Sequence, residues 1–321
     1  MTKEKVIIIG AGPCGLSAAI ALKEYGIDPL IIERGNVVNA IYHYPTHQQF
    51  FSTSEKLAIG NIPFYSTERK PKRNEALVYY RQVVKEKQLR IHAYEEVTLV
   101  TRKVGGGFTL ATQKANYEAD YVVVATGYYD SPNMMGIPGE EQDHVLHYFK
   151  EAHPFFAQDV CVIGGKNSAV DAALELEKAG ARVTVLYRGE EYSKSIKPWI
   201  LPEFDGLVRK GTIKMHFGAG LKSITEDEVI FTINGAEKKQ KADFVFAMTG
   251  YHPDHSFISQ MGVEMDRETG RPAFNPETME TNSRGIYIAG VIAAGNNANE
   301  IFIENGREHG ALIAKSIAKA L

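Results

Sequence analysis

Val6-Ile7-Ile8-Ile9-Gly10-Ala11-Gly12-Pro13-Cys14-Gly15 is a buried-strand pattern running into a glycine turn. An unbroken apolar run suits a strand covered on both faces of a parallel sheet. Leu16-Ser17-Ala18-Ala19-Ile20-Ala21-Leu22-Lys23 continues as a helix with small residues toward the sheet; Gly26 closes it and Asp28–Ile32 forms the next strand. Strand, turn, helix and strand fit within about 30 residues, the length of a βαβ dinucleotide-binding unit. Gly10, Gly12 and Gly15 permit the tight turn, the close approach to a pyrophosphate and close helix–strand packing. The helix then aims its first amides at the anion. Glu33 ends the second strand, where an acid accepts hydrogen bonds from free ribose hydroxyls.

The same order of events recurs at Val160-Cys161-Val162-Ile163-Gly164-Gly165-Lys166-Asn167-Ser168-Ala169. A helix over Ala169–Ala179, a Gly180 cap and a strand over Val183–Tyr187 follow. Here Arg188 stands where Glu33 stood, and an arginine at that strand end suits a 2′-phosphate. Lys194 and Lys197 extend the basic cluster. Lys166 replaces the middle glycine, and its side chain is expected to turn outward with its ammonium on a phosphate. The pair of turns therefore points to two dinucleotides in one chain, one plain and one phosphorylated.

Two near-twin strands, Tyr121-Val122-Val123-Val124-Ala125-Thr126-Gly127-Tyr128 and Phe244-Val245-Phe246-Ala247-Met248-Thr249-Gly250-Tyr251, look like crossings between domains. The expected fold is α/β, with two Rossmann-like, three-layer ββα dinucleotide-binding domains. Residues 1–127 and 251–321 would form a discontinuous first domain, and 128–250 a second domain inserted into it. Val97–Leu110, broken by Gly105-Gly106-Gly107, reads as a hairpin covering the first sheet.

At 321 residues, 44% hydrophobic and 23% charged, the chain has room for about two globular domains. A formal charge of −3 gives no reason to expect nucleic acid or an anionic membrane as partner. No apolar stretch reaches the roughly 18 residues of a membrane span. The first strand begins almost at once, leaving no space for a signal peptide, so a cytoplasmic location is expected. Two cysteines, far apart in sequence, leave neither a disulfide framework nor a cysteine zinc site, and no metal is expected.

Gly285-Ile286-Tyr287-Ile288-Ala289-Gly290 resembles the second FAD motif of pyridine-nucleotide flavoprotein reductases. In that motif a strand ends in glycine beside the ribityl chain, usually followed by an aspartate; Val291 stands there instead. The following helix, expected to start near Asn299-Glu300-Ile301, would direct its N-terminus at the flavin. The first site would thus hold FAD and the second NADPH. Over essentially its whole length the chain resembles the low-molecular-weight thioredoxin-reductase-like flavoproteins. The reductases proper carry a Cys-x-x-Cys pair just before the second glycine motif; this sequence has Ala152-His153-Pro154-Phe155-Phe156-Ala157 there and no such pair anywhere. Gly-Ala-Gly-Pro-Cys-Gly, Gly-Gly-Lys-Asn-Ser-Ala and Ala293-Ala294-Gly295-Asn296-Asn297-Ala298-Asn299-Glu300 together resemble the YpdA group, the bacillithiol disulfide reductases of Gram-positive bacteria, which shares Lys166 and Val291.

That resemblance implies hydride transfer from NADPH to FAD, then reduction of a low-molecular-weight disulfide, with Cys14 as the redox cysteine. At the start of a helix, Cys14 would have its thiolate favoured by the dipole and free amides. Cys161, in mid-strand, reads as core. The aromatic, histidine-rich segment Tyr42–Thr53 would pass beside the flavin, with Phe51 as stacking candidate and His43 and His47 as proton donors to a leaving thiolate. Pro13, Arg34, Val97, Thr126, Gly127, Gly290, Val291 and Ile301 complete the FAD candidates, and Asn167, Ser168 and Gly250 those for NADPH. A homo-oligomer is expected, with a small redox protein as a further partner. Two alternatives stand beside this reading. One is a ferredoxin- or flavodoxin-NADP reductase, in which the flavin edge serves a protein partner directly. The other is a redox sensor that binds FAD and NADPH without turnover. A flavin monooxygenase is disfavoured by the lack of a Phe-x-Gly-x-x-x-His element.

Overall fold

The structure is a computed structural model that describes residues 2–297 and 299–321. The chain divides into two compact units, one running up to Ser131 and resuming at Tyr251, the other spanning Pro132–Gly250. The first unit reaches four residues past Gly127 because the chain beyond it stays attached. Tyr129 packs on Tyr251 with ring centroids 4.6 Å apart, and the His252 N–H donates to the Ser131 carbonyl at 3.0 Å.

In the first unit, β1 (Thr2–Ile9), β2 (Leu30–Ile32), β3 (Arg90–His92), β4 (Val97–Arg102), β5 (Phe108–Thr112) and β6 (Asn116–Val124) line up as β3-β2-β1-β6-β5-β4. The strand Ile286–Ile288 also pairs with β6. β6 is long enough to serve two neighbours on that side. Its first half carries the antiparallel β4–β5 hairpin, and its second half pairs in parallel with Ile286–Ile288. Val6, Ile7 and Ile8 are fully buried, as the unbroken apolar run requires. Each such side chain contributes about 1.5–3 kcal/mol of burial. The helix Pro13–Glu24 follows the turn and packs against the C-terminal helix His309–Ala320. A Cβ on Gly310 would lie 2.8 Å from the Ala18 backbone, so the two helices approach as closely as they do only because one offers glycine.

In the second unit, β7 (Val145–Leu146), β8 (Asp159–Ile163), β9 (Arg182–Leu186), β10 (Lys214–His216), β11 (Gly220–Ile224), β12 (Glu228–Ile233), β13 (Ala236–Lys241) and β14 (Phe244–Ala247) form two sheets. One is wholly parallel, in the order β10-β9-β8-β14-β7; the other is the antiparallel trio β11-β12-β13. Cys161 lies in the middle of β8 and is fully buried.

The two turns repeat one geometry. Gly10 donates to the Ile32 carbonyl and Gly164 to that of Leu186, each at 2.9 Å, while Ala125 donates to Ile9 and Met248 to Ile163, each at 2.8 Å. Gly10 has φ +108° and Gly164 φ +141°, a region L side chains rarely adopt. A Cβ on either would meet a carbonyl oxygen of the crossing strand at 2.5 Å. Among the described residues no helix is long and apolar enough to cross a membrane.

Candidate functional site

In the first turn, the helix Pro13–Glu24 begins at Gly12 with no side-chain cap and no acid in its first turn. Pro13 is preorganised for the first helical position and has no N–H to lose. A Cβ on Gly12 would meet nothing within 4 Å, so open space lies directly in front of the uncapped end. Glu33 is tied to this turn: its carboxylate accepts from the N–H groups of Ala11 and Gly35, each at 2.7 Å. Desolvation raises its pKa, opposed by those two hydrogen bonds. A carboxylate has about four acceptor positions, so it still has lone pairs to offer two hydroxyls. The buried Thr126 hydroxyl has no hydrogen-bond partner, whereas its counterpart Thr249 donates to the Asn133 carbonyl at 2.6 Å. An uncapped helix end, an acid with spare lone pairs and an unpaired buried hydroxyl are features that the diphosphate and ribose of FAD fit.

Cys14 lies under this turn. A Cβ on Gly290 would come within 3.0 Å of Cys14 Sγ, and one on Gly306 within 2.9 Å, so the sulfur fills space that both glycines leave open. Burial pushes the Cys14 thiol up to about 12, which outweighs the helix terminus expected to favour the thiolate. Tyr44 and Tyr80 lie close enough that a charge on Cys14 would oppose theirs, and desolvation is the main cause raising both phenols. His43 and His47 are exposed, His43 closing the short helix Asn39–His43. Phe51 is 43% exposed. Arg34 reaches Asp130 and Glu96 in surface ion pairs, and Val97 is buried at the start of β4.

The C-terminal segment departs from expectation. The helix expected near Asn299 begins at Ile303, lasts only to Gly306, and the long helix starts at His309. Gly306 and Gly310 must pass close to Cys14 and Ala18, and the residues ahead are used in turns, with Glu300 paired to Arg271. Ile301 therefore sits in irregular chain, packed on the core; Ala298 lies outside the described residues. Val291 lies in the 3-10 turn Gly290–Ala294.

His309 escaped the sequence reading, having no motif around it. Its Nδ1 accepts the Gly290 N–H at 3.1 Å, so that nitrogen carries no proton. Desolvation depresses its pKa below the usual 6.5, with Glu308 opposing. Between the two pKa values the unfolded chain binds the extra proton. The stability is therefore complete above about pH 6.5 and falls as the pH drops through the folded-state value. Thermal melts from pH 5 to 7.5 should show this decline, and His309→Asn, which keeps an acceptor that does not titrate, should flatten it. An unchanged slope in the variant would remove His309 as its source.

In the second turn, the helix Asn167–Lys178 starts at an exposed Lys166, also without a side-chain cap, and Ser168 is exposed beside it. The Tyr187 ring lies against Gly165 and Gly189, where Cβ atoms would come within 2.3 and 2.5 Å of it. Beyond it Arg188 is exposed and makes no ion pair among the described residues, and Lys194 is exposed on the following loop. Gly250 has φ +91° and Gly127 φ +74°, each where its crossing strand leaves the sheet. The exposed guanidinium and the open helix end fit a phosphorylated dinucleotide such as NADPH. The described residues include no cluster of metal-ligating side chains.

The family model described as pyridine nucleotide-disulphide oxidoreductase matches residues 7–290. Bacilliredoxin reductase Bdr of Bacillus subtilis (strain 168) is 65% identical over 322 residues, covering 99% of each chain. The solved bacillithiol disulfide reductase Bdr (YpdA) from Bacillus cereus superposes with a TM-score of 0.98 at 64% identity, covering 100% of both chains. That from Staphylococcus aureus superposes at 0.97 and 57% identity, covering 100% of this chain and 99% of the other. The duplicated turns, the inserted second unit and these matches agree: the chain is an oxidoreductase belonging to the pyridine nucleotide-disulphide oxidoreductase family, within the group that includes the Bdr (YpdA) reductases.

Proposed function

We propose that the chain reduces a disulfide of the bacillithiol type, free or carried on a small redox protein, at the expense of NADPH. The observation that carries this is the pair of matched turns ending in opposite charges, Glu33 and Arg188, together with the names borne by its relatives. When bound, FAD and NADPH supply the hydride chemistry; one NADPH and one proton convert one disulfide to two thiols. Gly12, Glu33 and Thr126 would hold the flavin nucleotide on a turn that Gly10 and Gly15 shape, and Lys166 and Arg188 would hold the NADPH on a turn that Gly164 shapes. Cys14 attacks one sulfur of the disulfide, releasing one thiol and leaving a mixed disulfide on Sγ that NADPH-derived electrons then cleave. His43 or His47 protonates the departing thiolate. That step requires Cys14 to lose its proton, since desolvation keeps the thiol protonated in the resting fold, where it sits beside Gly290 and Gly306.

The burial of Cys14 favours a second reading, in which the acceptor takes electrons from the flavin without a cysteine. The ferredoxin–NADP reductase of Ignicoccus hospitalis is 28% identical over 89% of this chain and of its own length. Following NADPH oxidation with bacillithiol disulfide, with a bacilliredoxin mixed disulfide and with ferredoxin separates the two. Arg188→Ala should raise the KM for NADPH about tenfold to a hundredfold, the worth of one charge-assisted phosphate contact, and leave that for NADH nearly unchanged. Equal losses for both nucleotides would move the 2′-phosphate elsewhere.

A further inference from the structure

Asn167 does not spend its side chain on the turn it belongs to. Its Nδ2 donates to the Ser195 carbonyl and its Oδ1 accepts the Lys197 N–H, both at 2.9 Å. One amide thus grips the backbone on either side of Ile196, whose side chain is 5% exposed and part of the second unit's core. The same loop is tightened from within. The Ile196 N–H donates to the Ser193 carbonyl at 3.0 Å, and the hydroxyls of Ser193 and Ser195 are 2.8 Å apart. The loop carries Lys194, exposed, one residue before the gripped segment. Asn167 is the first residue of the uncapped helix Asn167–Lys178, so a single side chain ties the basic loop to the N-terminal end of that helix.

We propose that Asn167 is the positioning residue for 2′-phosphate selectivity: it holds the loop 193–197 in place so that Lys194 is fixed beside Arg188's phosphate before the nucleotide arrives. The inference rests on the NADPH reading of this turn given above. A side chain ordered in advance loses less freedom on binding. Asn167 is therefore a supporting group, with Lys194 and Arg188 making the contact, and its effect belongs to the 2′-phosphate alone.

The test is calorimetric titration of the holoenzyme with adenosine 2′,5′-bisphosphate and with 5′-AMP, which differ in the 2′-phosphate and require no turnover. Asn167→Ala should lower the preference for the bisphosphate about tenfold while 5′-AMP binding stays within twofold. In a Lys194→Ala background the same change should add almost nothing, because the route through the loop has been removed. Asn167→Ser, too short to reach both backbone partners, serves if the alanine variant does not fold. An unchanged preference, an equal loss for both nucleotides, or additive effects of Asn167 and Lys194 would each overturn the proposal. Arg188→Ala separates the failures. If it abolishes the preference while Asn167→Ala does not, only the positioning role falls; if neither variant alters it, the NADPH reading of this turn falls too.

Discussion

Gly12→Ala is expected to yield a folded protein that no longer holds its flavin, while Gly15→Ala, three residues on, is expected to damage the fold itself. The two glycines share one motif but face different neighbours. Gly12 has φ −71°, which alanine adopts freely, and a Cβ there meets nothing within 4 Å. Its apoprotein should melt within a degree or two of the parent, yet the methyl group would occupy the space in front of the uncapped helix. Flavin affinity should fall about a hundredfold, or roughly 2.7 kcal/mol. At Gly15 the added Cβ would lie 2.1 Å from the Gly10 carbonyl oxygen, which is backbone and cannot step aside. Overpacking of this severity reaches the upper end of about 1–3 kcal/mol, a Tm lower by about 6–12 °C for a unit of roughly 200 residues such as the first. Flavin fluorescence and apoprotein melts together read both effects. Full flavin content in Gly12→Ala would show that the cofactor does not approach this turn.

Cys14→Ala is expected to retain bleaching of the flavin by NADPH, because hydride delivery needs no thiol, and to lose more than about a hundredfold in disulfide turnover. Flavin content must be checked first, since the sulfur also fills the space beside Gly290 and Gly306. Retained turnover would transfer the reaction to the second reading, with the disulfide reduced without a cysteine. The resting state makes its own prediction. With its thiol pushed up to about 12, Cys14 at pH 8 should react with iodoacetamide about a thousandfold more slowly than a free cysteine of ordinary pKa. Cys161, fully buried in β8, gives no competing signal in the native protein. Rapid labelling of the resting enzyme would show that the thiolate of Cys14 forms more readily than its desolvated site allows.

The parts of the fold that were legible are those written in adjacent residues. A four-residue apolar run, glycines at fixed intervals and a helix of small residues need each other locally, so both βαβ units could be read directly. The positions of Glu33 and Arg188 were legible for the same reason, each lying just past a strand at a set distance from its turn. What escaped depends on distant residues meeting. The environment of Cys14 is set by Gly290 and Gly306, and nothing near position 14 announces those neighbours. Asn167 was expected among the NADPH residues; the partners its side chain takes in the structure lie some thirty residues on and are backbone atoms, which carry no sequence signature. His309 likewise acts on the Gly290 amide. The late helix was misplaced because a glycine chosen for close packing reads in sequence like any other helix-weakening residue.

The way the first unit is closed also bears on its birth. β6 gains a parallel neighbour from Ile286–Ile288, and the helix after the first turn gains its packing partner from His309–Ala320. A ribosome adding roughly 5–20 residues per second therefore finishes the inserted unit, Pro132–Gly250, seconds before the surrounding one has all its parts. The nascent chain holds an incomplete sheet edge at β6 throughout that interval. The inserted unit can be folded first, and the order of assembly is then the reverse of the order in which the two glycine turns are translated.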